Sequence, residues 1–174
     1  MTIKAQLTLS IGEQTHTVVI SSEGLAVLAA KLPDTAAMAG VFDMLSQYPD
    51  YKVRTAIAGM EYLPPAAIRR LAVDSALSVV KVLLKSPDAR RQLSTQEVLD
   101  ICKRDPELAG EIAGYFHDFD LEDDAVIALL EGNADAYVRK ELAGNPFVPN
   151  QVLRRIGAND PDEMVRLLAK DVLA

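Results

Sequence analysis

The most reactive side chains in this 174-residue chain are its one cysteine and two histidines. A cysteine nucleophile needs a nearby histidine and an electropositive setting that lowers its pKa. His16 stands in a segment with a strand pattern, and His117 stands in a segment with a loop pattern. Cys102 directly follows a repeated apolar position, and the same place in other copies holds Ala72, Leu130 and Gly157. We therefore interpret Cys102 as a buried space-filling residue.

The densest acidic segment, His117 to Asp124, is the best candidate for binding a cation. An EF-hand loop counted from Asp118 needs Gly at its sixth position and Glu at its twelfth, but the chain has Asp123 and Leu129 there. We interpret the segment as a solvated turn at a helix N-terminus, with a weak cation site as the alternative. The sequence also contains no glycine-rich phosphate loop, nucleophile elbow or His pair at metal spacing. We expect no catalytic residue, no metal and no cofactor, and so not an enzyme.

Basic residues recur at one place in a repeated pattern and predict a row along one face. The row consists of Arg54, Lys81, Arg139 and Arg166. Two further basic spots are Arg69 with Arg70 and Arg154 with Arg155. Because a guanidinium can bind a carboxylate through two parallel N–H groups, these eight residues are the candidates for contact with an acidic protein.

The basic row also has a structural interpretation. Asp50, Asp135 and Asp162 each precede an arginine of the row by four residues. An acid four residues before a base is the favourable order on a helix, worth about 0.2–0.5 kcal/mol per pair. Ion pairs within a helix or between repeats that set the stacking are therefore the alternative to a binding face.

A repeated helix-turn-helix pattern must position these residues. It recurs about four and a half times from residue 46 onward, at spacings of 30, 28 and 27 residues. Its first apolar position holds Leu63, Leu93, Leu121 and Val148. The second, five residues later, holds Ile68, Val98, Val126 and Leu153, and the third holds Leu71, Ile101, Leu129 and Ile156. A fixed period of this length indicates repeats that bury their apolar faces against each other, and we expect the third set to be buried equivalently.

Helix boundaries are marked by residues with known capping preferences. Asp50, Ser94 (with Glu97 three residues later), Asp105 and Asp160 are predicted to begin helices, the last two because a proline follows. Earlier helices are predicted from Ser22-Glu23 to about Lys31 and from Pro33-Asp34 to Gln47. Three glycines at one place in the repeat are interpreted as helix C-caps, namely Gly59, Gly114 and Gly144.

The N-terminal residues alternate between apolar and polar and predict a β-hairpin. Residues 3–11 form the first strand, residues 12–14 the turn and residues 15–20 the second strand. One face is apolar, with Ile3, Leu7, Leu9 and Ile11. Two strands alone cannot cover such a face, so we expect it to fold over the helices of residues 23–47 and cap the array. The competing interpretation is a homodimer in which the open strand edge pairs with a second molecule.

The repeats resemble those of the leucine-rich repeat variant family. The strongest match runs from Tyr137 through the Asn145-Pro146 turn to Ile156 and on to Asp160-Pro161. Val53-Arg54 with the segment 63–71 repeats this match, and Val165-Arg166 begins it again. The resemblance implies a mainly all-α fold, a right-handed α-α solenoid of short helices related to armadillo and HEAT repeats. Some family members carry a cysteine-rich iron–sulfur segment, which a single cysteine cannot supply.

Taken together, these patterns predict one packed domain with two parts. Residues 1–47 form the hairpin and its capping helices, and residues 48–174 form the repeat array. One cysteine and no continuous apolar segment indicate a cytoplasmic protein, of bacterial style, without membrane contact. A net charge of −7 argues against nucleic acid as the main partner. We predict a non-catalytic protein-interaction scaffold. The alternatives are a nucleic-acid-binding solenoid and a small-ligand or enzyme domain.

Overall fold

A computed structural model describes residues 5–119 and 124–174, without the side chains of Leu9 and Ile11. The chain is mainly helical, with 63% of the described residues in helices. The strands are β1 (Ala5–Ile11) and β2 (Gln14–Ile20). The α-helices are α1 (Ser22–Ala29), α2 (Ala39–Leu45), α3 (Tyr51–Ile57), α4 (Pro65–Ala72), α5 (Leu77–Leu83), α6 (Pro87–Gln92), α7 (Thr95–Arg104), α8 (Pro106–Gly114), α9 (Asp124–Glu131), α10 (Ala136–Ala143), α11 (Asn150–Asn159) and α12 (Glu163–Val172). None of the described helices is long and apolar enough to cross a membrane.

The predicted hairpin is confirmed, but its turn is one residue shorter than expected. The two strands are antiparallel, and the second begins at Gln14. Gly12 has a φ of 61°, in the left-handed region that glycine adopts without steric cost.

The expected covering of the hairpin's apolar face is absent at Leu7. Leu7 lies opposite Val18 in the register, and the two residues are 41% and 58% exposed. The prediction that the helices bury this face is therefore wrong at this pair, because no described helix shields it. Ile3 and the side chains of Leu9 and Ile11 lie outside the described residues.

Most predicted helix starts are confirmed by side chains that accept backbone N–H groups. Asp50 accepts from Lys52, and Asp105 accepts from Glu107. Ser94 and Glu97 form the reciprocal capping box. This geometry satisfies donors that a helix N-terminus leaves unpaired.

Three predicted boundaries are corrected. The side chain of Ser21, rather than Ser22, caps α1. The predicted helix of residues 33–47 is a 3₁₀ turn (Ala36–Met38) followed by the shorter α2. Asp160 ends α11, and Asp162 caps α12 instead.

The chain divides into two compact units, Met1–Ser86 and Pro87–Ala174. In the N-terminal unit, α3 packs between α1 and α5, while α4 contacts α2 and α5. The largest side chains of its core are fully buried, namely Phe42, Ile57, Ile68, Leu71, Leu83 and Leu84.

In the C-terminal unit, α10 packs between α8 and α12, and α7 contacts both α8 and α9. Helix α11 packs against α12. Alternate helices therefore lie side by side, which is compatible with helical repeats. The right-handed solenoid and the division at residues 47/48 within one packed domain stay predictions.

The repeat register is confirmed at most positions and slips at one. All four residues of the second position are buried, as are Leu71, Ile101 and Ile156 of the third. Leu129 is only half-buried, and its neighbour Leu130 is fully buried instead. The prediction for Leu129 is therefore wrong, because α9 turns the following residue toward the core. Leu121 lies outside the described residues.

The three repeated glycines lie near helix ends as predicted, but they have a packing role. Gly144 is the C-cap of α10, as predicted, but none of the three has the positive φ of a left-handed cap. A Cβ added to Gly59 would lie 3.3 Å from Val82, and one on Gly144 would lie 3.1 Å from Leu168. Gly59 and Gly144 therefore allow α5 and α12, respectively, to approach closely.

Candidate binding surface

Arg54, the first residue of the predicted basic row, is engaged on both edges of its guanidinium. Its Nη1 donates to the carbonyl oxygens of Tyr48 and Pro49, both at 2.7 Å. Its Nε and Nη2 donate to the carboxylate of Asp74, at 2.5 and 2.9 Å. The side chains of the pair are only 14% and 5% exposed. The hydrogen bonds to Asp74 raise the pKa of Arg54, so the guanidinium stays charged.

Arg139 repeats this arrangement in the C-terminal unit. Its Nη1 donates to the carbonyl oxygens of Asn133 and Ala134, at 2.7 and 3.1 Å. Its Nε and Nη2 donate to Asp160, at 2.8 and 3.3 Å, and the two side chains are 9% and 4% exposed. In both pairs the same carboxylate also accepts a backbone N–H two residues further on, from Ala76 and Asp162 respectively.

The aspartates that precede the arginines by four residues do not pair with them. Asp50, Asp135 and Asp162 accept the backbone N–H two residues later, at 2.8 to 2.9 Å. The predicted ion pairs within a helix are therefore wrong, because helix capping takes these carboxylates. Arg54 and Arg139 instead pair with carboxylates that lie after the following helix, as the other form of the structural interpretation predicted. At these two positions the geometry favours a structural role over a binding face.

Two of the sparser basic residues also have carboxylate partners. Arg70 lies 3.2 Å from Asp43 and donates to the hydroxyl of Ser46. Arg155 holds Glu131 through Nε and Nη2, at 2.6 and 2.5 Å. These contacts link α4 to α2 and α11 to α9, so they fasten helices within each unit.

Two of the remaining basic candidates are more accessible. Arg69 and Arg154 are exposed on α4 and α11, and Lys81 is half-buried on α5. Arg69 and Arg154, with Arg166, are therefore better placed than Arg54 and Arg139 to meet another molecule. Their role in partner binding stays a prediction.

Arg166 on α12 shares only one of the two sets of contacts that hold Arg54 and Arg139. Its Nη1 donates to the carbonyl oxygens of Asp160 and Pro161, at 2.6 and 3.2 Å. Within the described residues, its Nε and Nη2 have no acceptor. The side chain lines an open cavity together with Arg154, Gly157 and Lys170.

The other flank of α12 carries exposed apolar side chains. Met164 and Leu167 are 60% and 51% exposed, and they line a second cavity with Leu168 and Lys140. Leu168 and Lys140 also line a neighbouring cavity that contains Phe147, which is 63% exposed. Since the buried side of α12 is formed by other residues, this helix is apolar on two sides.

Cys102 is buried on α7, as are the residues at the equivalent places of other repeats. Burial raises the pKa of its thiol to about 12, so the thiolate is scarce near neutral pH. The space-filling interpretation is therefore confirmed at the level of burial.

The acidic segment is described only in part, since Asp120, Leu121, Glu122 and Asp123 lie outside the described residues. Within residues 5–119 and 124–174, no group of three or more His, Cys, Asp and Glu side chains could hold a metal ion. The expected absence of metal, cofactor and catalysis stays a prediction.

Sequence reasoning missed a buried basic residue near this segment. Arg90 on α6 donates to Asp118 and lies over the ring of Tyr115, with 4.1 Å from the guanidinium carbon to the ring centre. His117 is 3.3 Å from Asp118 and stacks on Phe147 at 4.2 Å. No local motif marks Arg90, because its partners are distant in the sequence.

Asn145 explains the Asn-Pro turn of the repeat. Its side-chain amide donates to the carbonyl oxygens of Ala113 and Gly114, at 2.9 and 3.0 Å, and its Oδ1 accepts from the N–H of Phe147. This buried side chain ties the end of α8 to the turn that follows α10. The motif was visible in the sequence, but its partners were not.

Comparison with known proteins does not identify the chain. It matches no family model, and no curated protein or solved structure is significantly similar to it.

Proposed function

We propose that the chain is a non-catalytic scaffold for protein–protein interaction, and that the outer side of α12 is part of its binding surface. The observation that carries the proposal is the apolar character of α12 on two opposite sides. Val165 and Ala169 are buried, whereas Met164 and Leu167 are exposed on the other side. Single exposed apolar residues are ordinary, but neighbouring ones beside a cavity are typical of interaction sites.

The packing of α10 supports this proposal by analogy within the chain. Lys140 and Gly144 of α10 correspond, 27 residues earlier, to Leu167 and Asp171 of α12. On α10, Gly144 is covered by Leu168 of α12, the helix after α11. On α12, the corresponding residues line an open cavity. A partner helix that packs there would bury Leu167 in the same way.

The alternative of nucleic-acid binding is less well supported by the geometry. Binding to phosphates requires basic side chains that are available to replace counterions. Arg54, Arg139 and Arg155 are each bound to a carboxylate of the chain itself, and the net charge is −7. The remaining basic residues would have to act against an acidic molecule.

The proposal is tested with the full chain as bait in an extract of its source cells. Captured proteins are identified by mass spectrometry after cross-linking, and their affinity is then measured with purified components. We expect a double variant, Met164→Gln with Leu167→Gln, to weaken binding by at least about tenfold, because both side chains would contact the partner. Val73→Gln is the matched control, since Val73 is 69% exposed on the N-terminal unit.

Circular dichroism and thermal unfolding must first show that each variant keeps the fold. If no protein is captured specifically, the scaffold function is refuted. If the double variant binds its partner as tightly as the unchanged chain, the assignment to α12 is refuted.

A further inference from the structure

We infer that Arg166 is a receptor for an aspartate carboxylate of a partner protein, an inference that rests on the proposed function. The three arginines of the row share one pose. In each, Nη1 donates to the carbonyl oxygens six and five residues earlier, which fixes the plane of the guanidinium. In Arg54 and Arg139, Nε and Nη2 then hold a carboxylate.

Arg166 has the first half of this arrangement without the second. Its Nη1 bonds hold the side chain in the same orientation, so its Nε and Nη2 form an ordered pair of parallel donors. Within the described residues, these two donors have no acceptor. Because the guanidinium is already positioned, a carboxylate that binds it avoids much of the usual loss of side-chain entropy.

The surroundings of Arg166 favour a negative ligand. Its cavity is lined by Arg154, Lys170, Gly157, Ala158 and Leu173, so three of the six lining residues are basic and none is acidic. Arg154 and Lys170 are exposed. A carboxylate placed here lies near three positive charges. The Nε and Nη2 donors of Arg166 add the geometric specificity of two parallel hydrogen bonds.

The chain itself shows what kind of carboxylate fits. Asp74 lies in the turn after α4 and binds Arg54 on α3. Asp160 lies in the turn after α11 and binds Arg139 on α10. The exposed apolar side chains of Met164 and Leu167 lie on the same helix as Arg166. A partner whose helix ends in such a turn can contact both, so the occupant is a protein aspartate rather than a free carboxylate.

The test uses the isotope-labelled full chain and follows the side-chain Nε–H signal of Arg166 by NMR. The signal is assigned by its loss in Arg166→Lys. The probe is a synthetic peptide with the sequence of residues 150–164, which contains α11 and the turn with Asp160. The control peptide carries Asp160→Asn. We expect saturable shifts with the first peptide and at least about tenfold weaker binding of the second, since the paired charge-assisted hydrogen bonds are lost.

Two variants of the chain separate the geometry from the charge. Arg166→Lys keeps the positive charge but lacks the parallel donors, so we expect about tenfold weaker peptide binding, followed in this variant by the backbone N–H signals around residue 166 because the Nε–H signal is absent. Lys31→Gln removes one exposed positive charge elsewhere and should leave binding unchanged. If both peptides bind equally, if neither shifts the signal at millimolar concentration, or if Arg166→Lys binds normally, the inference is refuted.

Two further outcomes are distinguishable. A shift of the Arg166 signal on concentrating the chain alone would show that a second copy supplies the carboxylate, which contradicts a separate partner. A captured partner that depends on Met164 and Leu167 but not on Arg166 would refute this inference and leave the proposed function standing.

Discussion

Replacing Arg139 by Gln should destabilise the chain far more than the same change at Arg166. The two arginines occupy one place in the repeat, and each donates from Nη1 to two backbone carbonyl oxygens. Only Arg139 also binds a buried carboxylate, that of Asp160, whose side chain is 4% exposed. The comparison therefore isolates the contribution of the ion pair.

The expected magnitude follows from what each change leaves behind. Arg139→Gln leaves Asp160 buried with only the N–H of Asp162 as a donor. Removing one partner of a buried ion pair costs about 3–5 kcal/mol, because the remaining charge is uncompensated. Arg166→Gln removes only hydrogen bonds to carbonyl oxygens from a half-buried side chain, which we expect to cost about 1 kcal/mol. The difference in unfolding free energy should be about 2–4 kcal/mol.

The assay is urea denaturation of both variants and of the unchanged chain, followed by circular dichroism. A double variant, Arg139→Gln with Asp160→Asn, provides the control for charge burial. It should be more stable than the sum of the two single changes implies, because no unpaired charge remains. If Arg139→Gln and Arg166→Gln differ by less than about 0.5 kcal/mol, the reasoning from the carboxylate is wrong.

Three further predictions concern other parts of the C-terminal unit. Leu130→Ala should cost about 2–5 kcal/mol of unfolding free energy and the half-buried Leu129→Ala clearly less, which the same denaturation assay measures and which an equal loss would contradict. Cys102 should resist a thiol reagent at mildly alkaline pH until the chain is unfolded, because burial raises its pKa to about 12, and rapid native labelling would contradict this. Backbone hydrogen bonds, chiefly from Val165, lower the pKa of Asp162, so its stabilising effect is full above the ordinary aspartate pKa and is lost as pH falls through the lowered value. An NMR titration of Asp162 should show that lowered value, and Asp162→Asn should remove this part of the pH dependence of stability.

The sequence located the basic row but assigned it the wrong carboxylates. An acid four residues before an arginine suggests a pair on one helix, but an aspartate directly before a helix directs its carboxylate at unpaired backbone N–H groups. Capping therefore takes Asp50 and Asp135, and the arginines bind Asp74 and Asp160 instead. A search for acids one repeat helix further on would have found these partners, which lie 20 and 21 residues after their arginines.

Burial was easier to predict than the boundaries and the covering of surfaces. Apolar residues at the second repeat position are buried throughout because the helical period alone directs them inward. The third position slips from Leu129 to Leu130, since a local shift in one helix rotates its inward face by one residue. The alternation that predicts the hairpin strands carries no information about what covers them, and Leu7 is accordingly exposed.

The structural and binding interpretations of the basic row need not compete. The same arginine orientation, fixed by two backbone carbonyls, can have a structural or a binding role. The role depends on whether its remaining donors bind a carboxylate of the chain or one of a partner. Asp74 and Asp160 supply this carboxylate to Arg54 and Arg139. Each pair links the helix of the arginine to the turn that follows the next helix. At Arg166 the same donors lie beside a basic cavity. Under our proposal a partner meets Arg166 as the chain's own turns meet the other two, so that a contact used for folding is used again for recognition.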